Sequence, residues 1–229
     1  MDSHADYEAL GQRRLFPSRS CRKILAQVGM QQAIRSYNPL CFEQPYALKL
    51  HRAQKFHLDL RLCYHWIAFS WAIYSMPSHH PDESCIAIQV EDHLRDNLLF
   101  EGVHAEGRRG AGPTIVVDKG TWQPLSEYLD IEESLHSGLM HFAFSRGSLL
   151  RGIWSLRRLR DCYRQENPRW VLTKEEDEYA VENDSAERED WRRLRSCFTG
   201  LSLEEEESDW HLGIQRFRHG DSLPFPRNP

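Results

Sequence analysis

The most regular hydrophobic pattern in the chain is a strict alternation over residues 56–62, FHLDLRL. Apolar side chains take the even-numbered positions, and His57, Asp59 and Arg61 take the odd-numbered ones. A period of two residues predicts a β-strand with one face packed on a core. The polar face of this strand carries an imidazole, a carboxylate and a guanidinium in a row, three groups that bind metals or phosphates. We therefore interpret this strand as the floor of an active site.

Shorter alternating or apolar runs predict further strands on both sides of this one. They lie at residues 46–51, 66–73, 85–92, 114–118, 139–144, 149–159 and 170–173. In the run at residues 85–92, Ile86, Ile88 and Val90 are expected to face the core. Many short strands with turns between them and few helices indicate a mainly β protein, built as an antiparallel barrel or a sandwich.

Glycine and polar residues predict the connections between these strands. Residues 119–120 and 145–148 are expected to form turns, the second of which makes a hairpin. Residues 101–113 form a glycine-rich loop without the Gly-Lys-Ser/Thr ending of a phosphate-binding P-loop, so we interpret this loop as structural. Residues 125–135 mix acidic residues with leucine and predict a helix or an irregular loop.

Three regions are expected along the chain. Residues 1–45 are an N-terminal extension with one helix, which begins near residue 20 and ends near residue 37, and residues 46–180 hold the strands. Residues 181–229 are an acidic C-terminal extension, in which residues 187–198 space their apolar side chains as in a short helix. The acidic runs beside that helix and the chain termini are expected to be partly disordered, because highly charged segments bury too little apolar surface to fold.

Composition limits the classes of protein to which the chain can belong. It has 229 residues, a net charge of −5 and six cysteines without a CxxC pair, which we expect to be reduced thiols. It contains no apolar run of about 18 residues, and its first residues lack the pattern of a signal peptide. We therefore expect an intracellular protein, cytoplasmic or nuclear, that does not enter a membrane and is a monomer.

A group of arginines lies between residues 146 and 169. Its members are Arg146, Arg151, Arg157, Arg158, Arg160, Arg164 and Arg169. Such a group either follows a phosphate backbone or protects exposed strand edges by its charge. The sequence favours neither interpretation over the other.

His57 and Asp59 are the first candidates for metal binding. Because they are two residues apart on one strand, their side chains project from the same face, with Cα atoms about 7 Å apart. His51, returned by the preceding turn, is the candidate for a third ligand. Two imidazoles and a carboxylate suit Mn²⁺, Zn²⁺ or Fe²⁺ and leave open positions, as catalytic sites do. The alternative is that these are three unrelated polar residues on a solvated face.

Two further side chains are candidates for phosphate chemistry. The guanidinium of Arg61 offers two donors to phosphate or carboxylate oxygens, although a salt bridge to Asp59 is the alternative. His93 follows an acidic pair at a strand end, where an imidazole donates to phosphate or protonates a leaving group; otherwise it is a surface histidine. The sequence assigns no role to His104 or His141.

Six blocks of the sequence, in this order, resemble the 3′-phosphoesterase domain found in bacterial DNA ligase D and in stand-alone relatives. They are HRAQKFHLDLRL, SWAIYSMPS, AIQVEDHLRDNLLFEGV, AEGRRGAGPTIVVDKGTW, LLRGIWSLRRLR and WVLTKEEDEYA. The resemblance covers residues 46–180 and implies a mainly β fold, a compact antiparallel β-barrel with flanking α-helices. It also implies an enzyme that removes a terminal ribonucleoside and then a phosphate from 3′ ends, with Mn²⁺ as its preferred metal.

The resemblance also implies roles for five residues. The metal ligands of the family fall on His51, His57 and Asp59, its phosphate-contacting arginine falls on Arg61, and its catalytic histidine falls on His93. These are the groups selected above for their chemistry.

Four positions depart from the pattern of the family. Lys49 replaces a glutamine, Ser75 a lysine, Cys85 an arginine and Asn97 a tyrosine. We expect Lys49 and Asn97 to contact substrate, because the residues that they replace belong to the active site of the family. These changes leave the metal ligands intact and alter the groups around them.

These observations predict a hydrolase, a phosphoesterase dependent on Mn²⁺ or another divalent transition metal such as Zn²⁺, that processes 3′ ends in DNA repair. Its expected partners are DNA or RNA/DNA 3′ ends and a separate ligase or end-joining machinery. One alternative is a nucleic-acid end-binding module with little or no catalytic activity. Another is a non-haem iron oxygenase, since His57, Asp59 and a later histidine also match its two-histidine, one-carboxylate triad.

Overall fold

The computed structural model of the chain describes residues 43–107, 110–125, 131–160, 167–182 and 190–212. The helix expected to begin near residue 20 lies outside this part of the chain, as does Arg164. None of the helices in the described part is long and apolar enough to cross a membrane.

The described residues form ten β-strands and two α-helices. The strands are β1 (Gln44–Arg52), β2 (Phe56–Tyr64), β3 (Ile67–Ile73), β4 (Ser84–Gln89), β5 (His93–Leu94), β6 (Gly102–His104), β7 (Gly112–Pro124), β8 (Leu139–Ser145), β9 (Gly152–Arg158) and β10 (Arg169–Lys174). The helices are α1 (Ile131–Ser137) and α2 (Leu203–His211), with 3-10 turns at Arg95–Asn97 and Trp191–Arg193.

Eight of the strands close into an antiparallel barrel, in the order β1, β2, β3, β4, β10, β9, β8 and β7. Pairing of β7 with β1 completes the ring, which leaves no free edge in the barrel wall. The two short strands lie beside it, β5 on β3 and β6 on β7. The prediction of a mainly β protein built as an antiparallel barrel is therefore confirmed.

Alternate side chains of the strands fill the inside of the barrel. Leu58, Leu60 and Leu62 of β2 are fully buried there, as the alternation predicts. The largest side chains of this core are Trp71, Trp122, Trp154, Trp170 and Phe142. Burial of each large apolar side chain contributes about 1.5–3 kcal/mol, so this interior supplies most of the stability of the fold.

A second, smaller core lies on the outer face of β1, β2 and β3. It consists of Ala47, Cys63, Ala68, Leu98, Leu99 and Val116, with Phe198 packed against it. Leu98 and Leu99 belong to the segment after β5, and Phe198 belongs to the C-terminal region. These segments cover the outer face of the barrel beside the polar row of β2, and they bury side chains that a simple one-sided sheet would leave in solvent.

The expected orientation of β4 is wrong. Ile86, which we expected in the core, is 45% exposed, and Ala87 is fully buried. Ala87 lies between Ile73 of β3 and Trp170 of β10. Because these two large neighbours already fill the interior, the inward position on β4 takes a small residue, and the isoleucines point outward.

The expected turn at residues 119–120 is also wrong, because β7 runs through it for 13 residues. Gly120 continues the strand opposite Tyr46 of β1. A Cβ atom at this position would lie only 2.5 Å from the carbonyl oxygen of Ser145. The glycine is therefore required for the close approach of two backbones and does not mark a turn. The expected loop at residues 101–113 likewise contains β6 and the start of β7.

The C-terminal acidic run is a helix, although we expected disorder there. Ser202 and Glu205 form a capping box at the start of α2, which satisfies two backbone donors. Leu203 is 1% exposed, so the helix docks by burying side chains on one face. Within the described residues, the helix expected at 187–198 is only the 3-10 turn Trp191–Arg193.

Three members of the arginine group have partners within the protein. Arg158 donates to carbonyls at the end of α1 and lies over the ring of Trp170. Arg151 donates to the carbonyl of Gly147, and Arg146 pairs with Glu43. These three contacts join parts of the protein and are neither phosphate contacts nor the protection of a strand edge.

Candidate metal and phosphate site

Antiparallel pairing of β1 with β2 places their polar side chains in rows on the outer face of the barrel. His51 lies opposite His57, and Lys49 lies opposite Asp59. Cross-strand partners project to the same side, with Cβ atoms about 5 Å apart. The hairpin therefore brings these four side chains together, although Lys49 and His51 lie before its turn and His57 and Asp59 lie after it.

His51, His57 and Asp59 form a group whose possible ligand atoms all lie within 4.8 Å of one another. We call these three residues the metal group. Nδ1 of His51 is 3.4 Å from one oxygen of Asp59, and Nε2 of His57 is 3.3 Å from the other. Among the residues that the structure describes, no other group of three His, Cys, Asp or Glu side chains has this geometry. Two imidazoles and one carboxylate leave coordination positions for substrate or water.

Backbone carbonyls fix the orientation of both imidazoles. Nε2 of His51 donates to the carbonyl of Gly110, and Nδ1 of His57 donates to the carbonyl of Lys55, both at 3.0 Å. Because a carbonyl only accepts, each neutral ring keeps its proton on that side and turns the lone pair of its other nitrogen toward Asp59. These lone pairs repel the carboxylate unless a ring takes up a second proton, which then donates to Asp59, and a divalent ion bound between them relieves the same repulsion. The donor set therefore fits a divalent ion held by these three residues.

The charges of this group stabilise one another. Burial alone would raise the pKa of Asp59, but its hydrogen bonds to His51 and His57 and the charge of Arg61 hold that pKa well below its usual value. Burial lowers the pKa of His57, and the hydrogen bond and charge of Asp59 outweigh this effect, so the pKa is raised. Asp59 is therefore an anion at neutral pH, the form that binds a metal ion.

Arg61 lies next to the metal group and is almost completely buried. Its Nη1 donates to the backbone carbonyl of Asn97 at 3.0 Å, and its Nη2 lies 3.7 Å from Asp59. Its Nε has no hydrogen-bond partner within the described part of the chain. The guanidinium is thus positioned by the protein and retains donor capacity for an anion. Asn97 contributes its backbone, while its side chain is exposed.

His93 is held beside Arg61 through Ser70, which lies opposite Arg61 on β3. The hydroxyl of Ser70 donates to the carbonyl of Ala68, and it lies 3.1 Å from Nδ1 of His93. Because the single hydroxyl proton of Ser70 goes to Ala68, its oxygen accepts a hydrogen bond from Nδ1–H of His93. The other ring nitrogen, Nε2, then carries no proton and is an acceptor. Burial, followed by the charge of Arg61, lowers the pKa of His93 to about 3, so the imidazole is neutral.

Lys49 is also part of the site. Its side chain is fully buried, and its ammonium nitrogen lies 5.5 Å from the centre of the Phe100 ring. That nitrogen has no hydrogen-bond partner among the described residues. Burial and the neighbouring Arg61 hold the pKa of Lys49 well below its usual value. An orphaned buried donor costs about 1–3 kcal/mol, which a bound anion would offset.

The structure adds His104 to the site, a residue to which sequence analysis assigns no role. Its ring lies 5.5 Å from the ring of His51 and 5.0 Å from that of Phe100. Burial and the charge of Lys49 lower its pKa to about 4. His104 lies on β6, which reaches β1 only through β7, so no spacing along the sequence indicates this contact. Ser75 and Cys85, two other positions that depart from the pattern of the resembling family, lie apart from the metal group. Ser75 is exposed, and Cys85 packs against the barrel core.

Comparison with known proteins identifies the domain in which these residues lie. Residues 49–158 match the DNA ligase D 3′-phosphoesterase domain. The chain is 38% identical to the multifunctional non-homologous end joining protein LigD of Pseudomonas aeruginosa over 132 residues, which are 58% of this chain and 15% of that protein.

Two mycobacterial relatives are more distant. LigD of Mycobacterium tuberculosis is 31% identical over 103 residues, 41% of this chain and 13% of that protein. LigD of Mycolicibacterium smegmatis is 26% identical over 132 residues, 52% of this chain and 17% of that protein. The chain thus spans less than a fifth of the length of these relatives. The metal group, Arg61 and His93 all lie in the matched region, and residues 49–158 of this chain belong to the DNA ligase D 3′-phosphoesterase domain family.

Proposed function

We propose that this protein is a metal-dependent phosphoesterase that acts on the 3′ ends of DNA, where it removes a 3′-phosphate and a 3′-terminal ribonucleoside. The observation that carries the proposal is the convergence of His51, His57 and Asp59 on one point beside the buried guanidinium of Arg61. The family match supports a phosphoesterase over a non-haem iron oxygenase. DNA or RNA/DNA ends and a separate ligase or end-joining machinery are the proposed partners.

His51, His57 and Asp59 would hold a divalent ion such as Mn²⁺ or Zn²⁺, which, when bound, supplies positive charge to a phosphate oxygen. Arg61 donates to a second phosphate oxygen and stabilises the negative charge that builds up in the transition state. Lys49 offers a further donor on the same side of the substrate. Because these groups are already fixed by the sheet, they need little rearrangement when substrate binds.

His93 moves the proton in this proposal. Its neutral ring accepts at Nε2 the proton of a singly protonated 3′-phosphate, while Ser70 holds Nδ1. Once protonated, the same nitrogen donates to the departing 3′ oxygen. His93 therefore acts first as a base and then as the acid of the reaction.

The test combines substitutions at the metal group with a set of metals and substrates. His57→Ala and Asp59→Ala should each lower the rate of phosphate release from a 3′-phosphorylated primer by about 100-fold or more, since a ligand lost raises the barrier by several kcal/mol. Both should also weaken Mn²⁺ binding, measured by electron paramagnetic resonance. His141→Ala, at an exposed histidine of β8, is the matched control and should change neither quantity.

Three primers, ending in a hydroxyl, a phosphate or one ribonucleotide, distinguish removal of a 3′-phosphate from removal of a 3′-terminal ribonucleoside. Turnover that persists in His57→Ala, or in the metal-free protein, would rule out the proposal. Binding of 3′-phosphate ends without turnover under any divalent metal would instead identify an end-binding module. The second outcome is a genuine candidate, because Lys49 and Asn97 depart from the family where substrate contacts are expected.

A further inference from the structure

Among the residues that the structure describes, the metal group is shielded from solvent beside His51 and beside Arg61, and it reaches solvent beside His57. His51, Asp59 and Arg61 are 5%, 7% and 3% exposed. Next to His57, however, the exposed residues Lys55 and Tyr74 line the edge of the site. We call the edge formed by Lys55, His57 and Tyr74 the open side.

The ends of the group at His51 and at Arg61 are closed by contacts between described residues. Beyond His51, the rings of His104 and Phe100 follow in contact, and Trp210 of α2 packs on Phe100. At the other end, the backbone of Asn97 lies against Arg61. A strand whose terminal phosphate reaches the metal group therefore leaves it across the open side.

Tyr74 is the aromatic residue of the open side. It follows directly after β3, is 47% exposed, and its ring centre lies 5.7 Å from that of His57 at an interplanar angle of 44°. A single exposed tyrosine is common on protein surfaces. This one, however, adjoins a residue of the metal group.

We propose that Tyr74 is the stacking surface for the terminal nucleobase of the substrate, and that Lys55 contacts the backbone of the same strand. The inference rests on the proposed function and refines it, because it names the group of the substrate, next to the terminal phosphate, that the protein contacts. An aromatic face beside a cation is the arrangement by which proteins bind single strands without regard to sequence.

The test compares two oligonucleotides that end in a 3′-phosphate, one with a normal terminal base and one with an abasic terminal sugar. Tyr74→Ala should raise KM for the first about tenfold, leave kcat unchanged and have no effect on the second. Tyr74→Phe should restore the KM of the unmodified protein. Tyr179→Ala, at another exposed tyrosine, is the matched control and should behave as the unmodified protein.

A binding measurement separates this inference from the proposed function. An oligonucleotide with 2-aminopurine as its terminal base should lose fluorescence on binding to the unmodified protein and to Tyr74→Phe, but not on binding to Tyr74→Ala. Quenching that depends on Tyr74 supports stacking even if neither substrate is hydrolysed, an outcome that would refute only the phosphoesterase. Equal effects of Tyr74→Ala on the two substrates, weaker Mn²⁺ binding, or unchanged quenching would overturn the inference.

Discussion

At the scale of residues, a single hydroxyl decides which nitrogen of His93 faces the substrate. Ser70 is fully buried and gives its proton to the carbonyl of Ala68. It can then only accept from His93, which fixes the tautomer without adding charge to the site. A carboxylate in this place would raise the pKa of the imidazole, whereas the hydroxyl leaves burial and Arg61 to keep it neutral.

Ser70→Ala should therefore lower kcat about tenfold to 100-fold and leave KM nearly unchanged. Without the hydroxyl, Nδ1 of His93 loses its acceptor, and the ring is free to adopt the tautomer with a proton on Nε2. The pH profile of kcat should shift as well, which loss of packing alone would not produce. Ser155→Ala, at a buried serine of β9, is the control. A profile identical to that of the unmodified protein would show that Ser70 does not position His93.

Sequence alone identifies the residues that share a strand but not those that meet through the fold. The alternation in β2 places His57, Asp59 and Arg61 on one face, and the hairpin turn adds His51. Ser70 and His104 carry no such signal. Ser70 is an ordinary strand residue that lies opposite Arg61, and His104 reaches His51 from β6, which is joined to β1 only through β7.

At the scale of elements, the C-terminal helix α2 is connected to the metal group by a continuous row of aromatic rings. The row consists of Trp210, Phe100, His104, His51, His57 and Tyr74, with successive ring centres 4.7 to 6.0 Å apart. Trp210 also packs so closely on the backbone of Gly102 that a side chain there would collide with its ring. Arg52, directly after His51, pairs with Glu204 and Glu207 of α2. The helix lies beyond the matched residues 49–158, yet it supports one wall of the site.

Trp210→Ala should weaken Mn²⁺ binding several-fold and lower the melting temperature by a few degrees. Its loss leaves Phe100 unsupported, and through Phe100 it loosens His104 beside His51. Trp210→Phe should recover most of the metal affinity, and Leu212→Ala, at a residue that is 71% exposed, serves as the control. Metal affinity can be measured by electron paramagnetic resonance. A lower melting temperature with unchanged metal affinity would mean that α2 stabilises the barrel without positioning the site.

The patterns of β4 and α2 mark the limits of prediction for single elements. Alternation in β4 indicates a strand but not which face is inward, and that choice depends on the size of Trp170 on the neighbouring strand. In α2, the Ser202 and Glu205 spacing is a recognisable capping signal. The apolar contacts that stabilise the helix among so many acidic residues are visible only in the folded chain.

At the scale of the whole molecule, the closure of the barrel depends on one buried carboxylate. Asp118 of β7 accepts from the hydroxyl of Tyr46 on β1 and from Ser148 and the backbone of Leu150 in the connection between β8 and β9. It thus joins three parts of the chain that are distant in sequence. Short alternating strands predict the antiparallel barrel, whereas the seam between β7 and β1 and the bulge at Leu48/Lys49 follow from contacts that no local pattern records.

The stability of the whole chain should fall in mild acid, and His65 gives a clean way to measure one cause. Burial, followed by the charge of Arg95, lowers the pKa of His65 from 6.5 to about 4. Between these pH values the unfolded chain binds a proton at His65 that the folded chain does not. The contribution of His65 to the free energy of unfolding is therefore complete above pH 6.5 and decreases as the pH falls toward 4. At pH 5 the loss from this residue is about 1–2 kcal/mol.

His65→Asn removes the titrating group and suits the backbone, because His65 has a φ of 57° and asparagine tolerates this left-handed conformation. Urea unfolding of the variant should show a smaller loss of stability between pH 7 and pH 5 than that of the unmodified protein. Glu101 acts in the opposite direction, since burial raises its pKa from 4.5 to about 7 and its contribution is lost as the pH rises. The comparison must therefore be made between the two proteins at each pH, where Glu101 contributes equally to both. Equal losses in the two proteins would show that His65 is not protonated on unfolding.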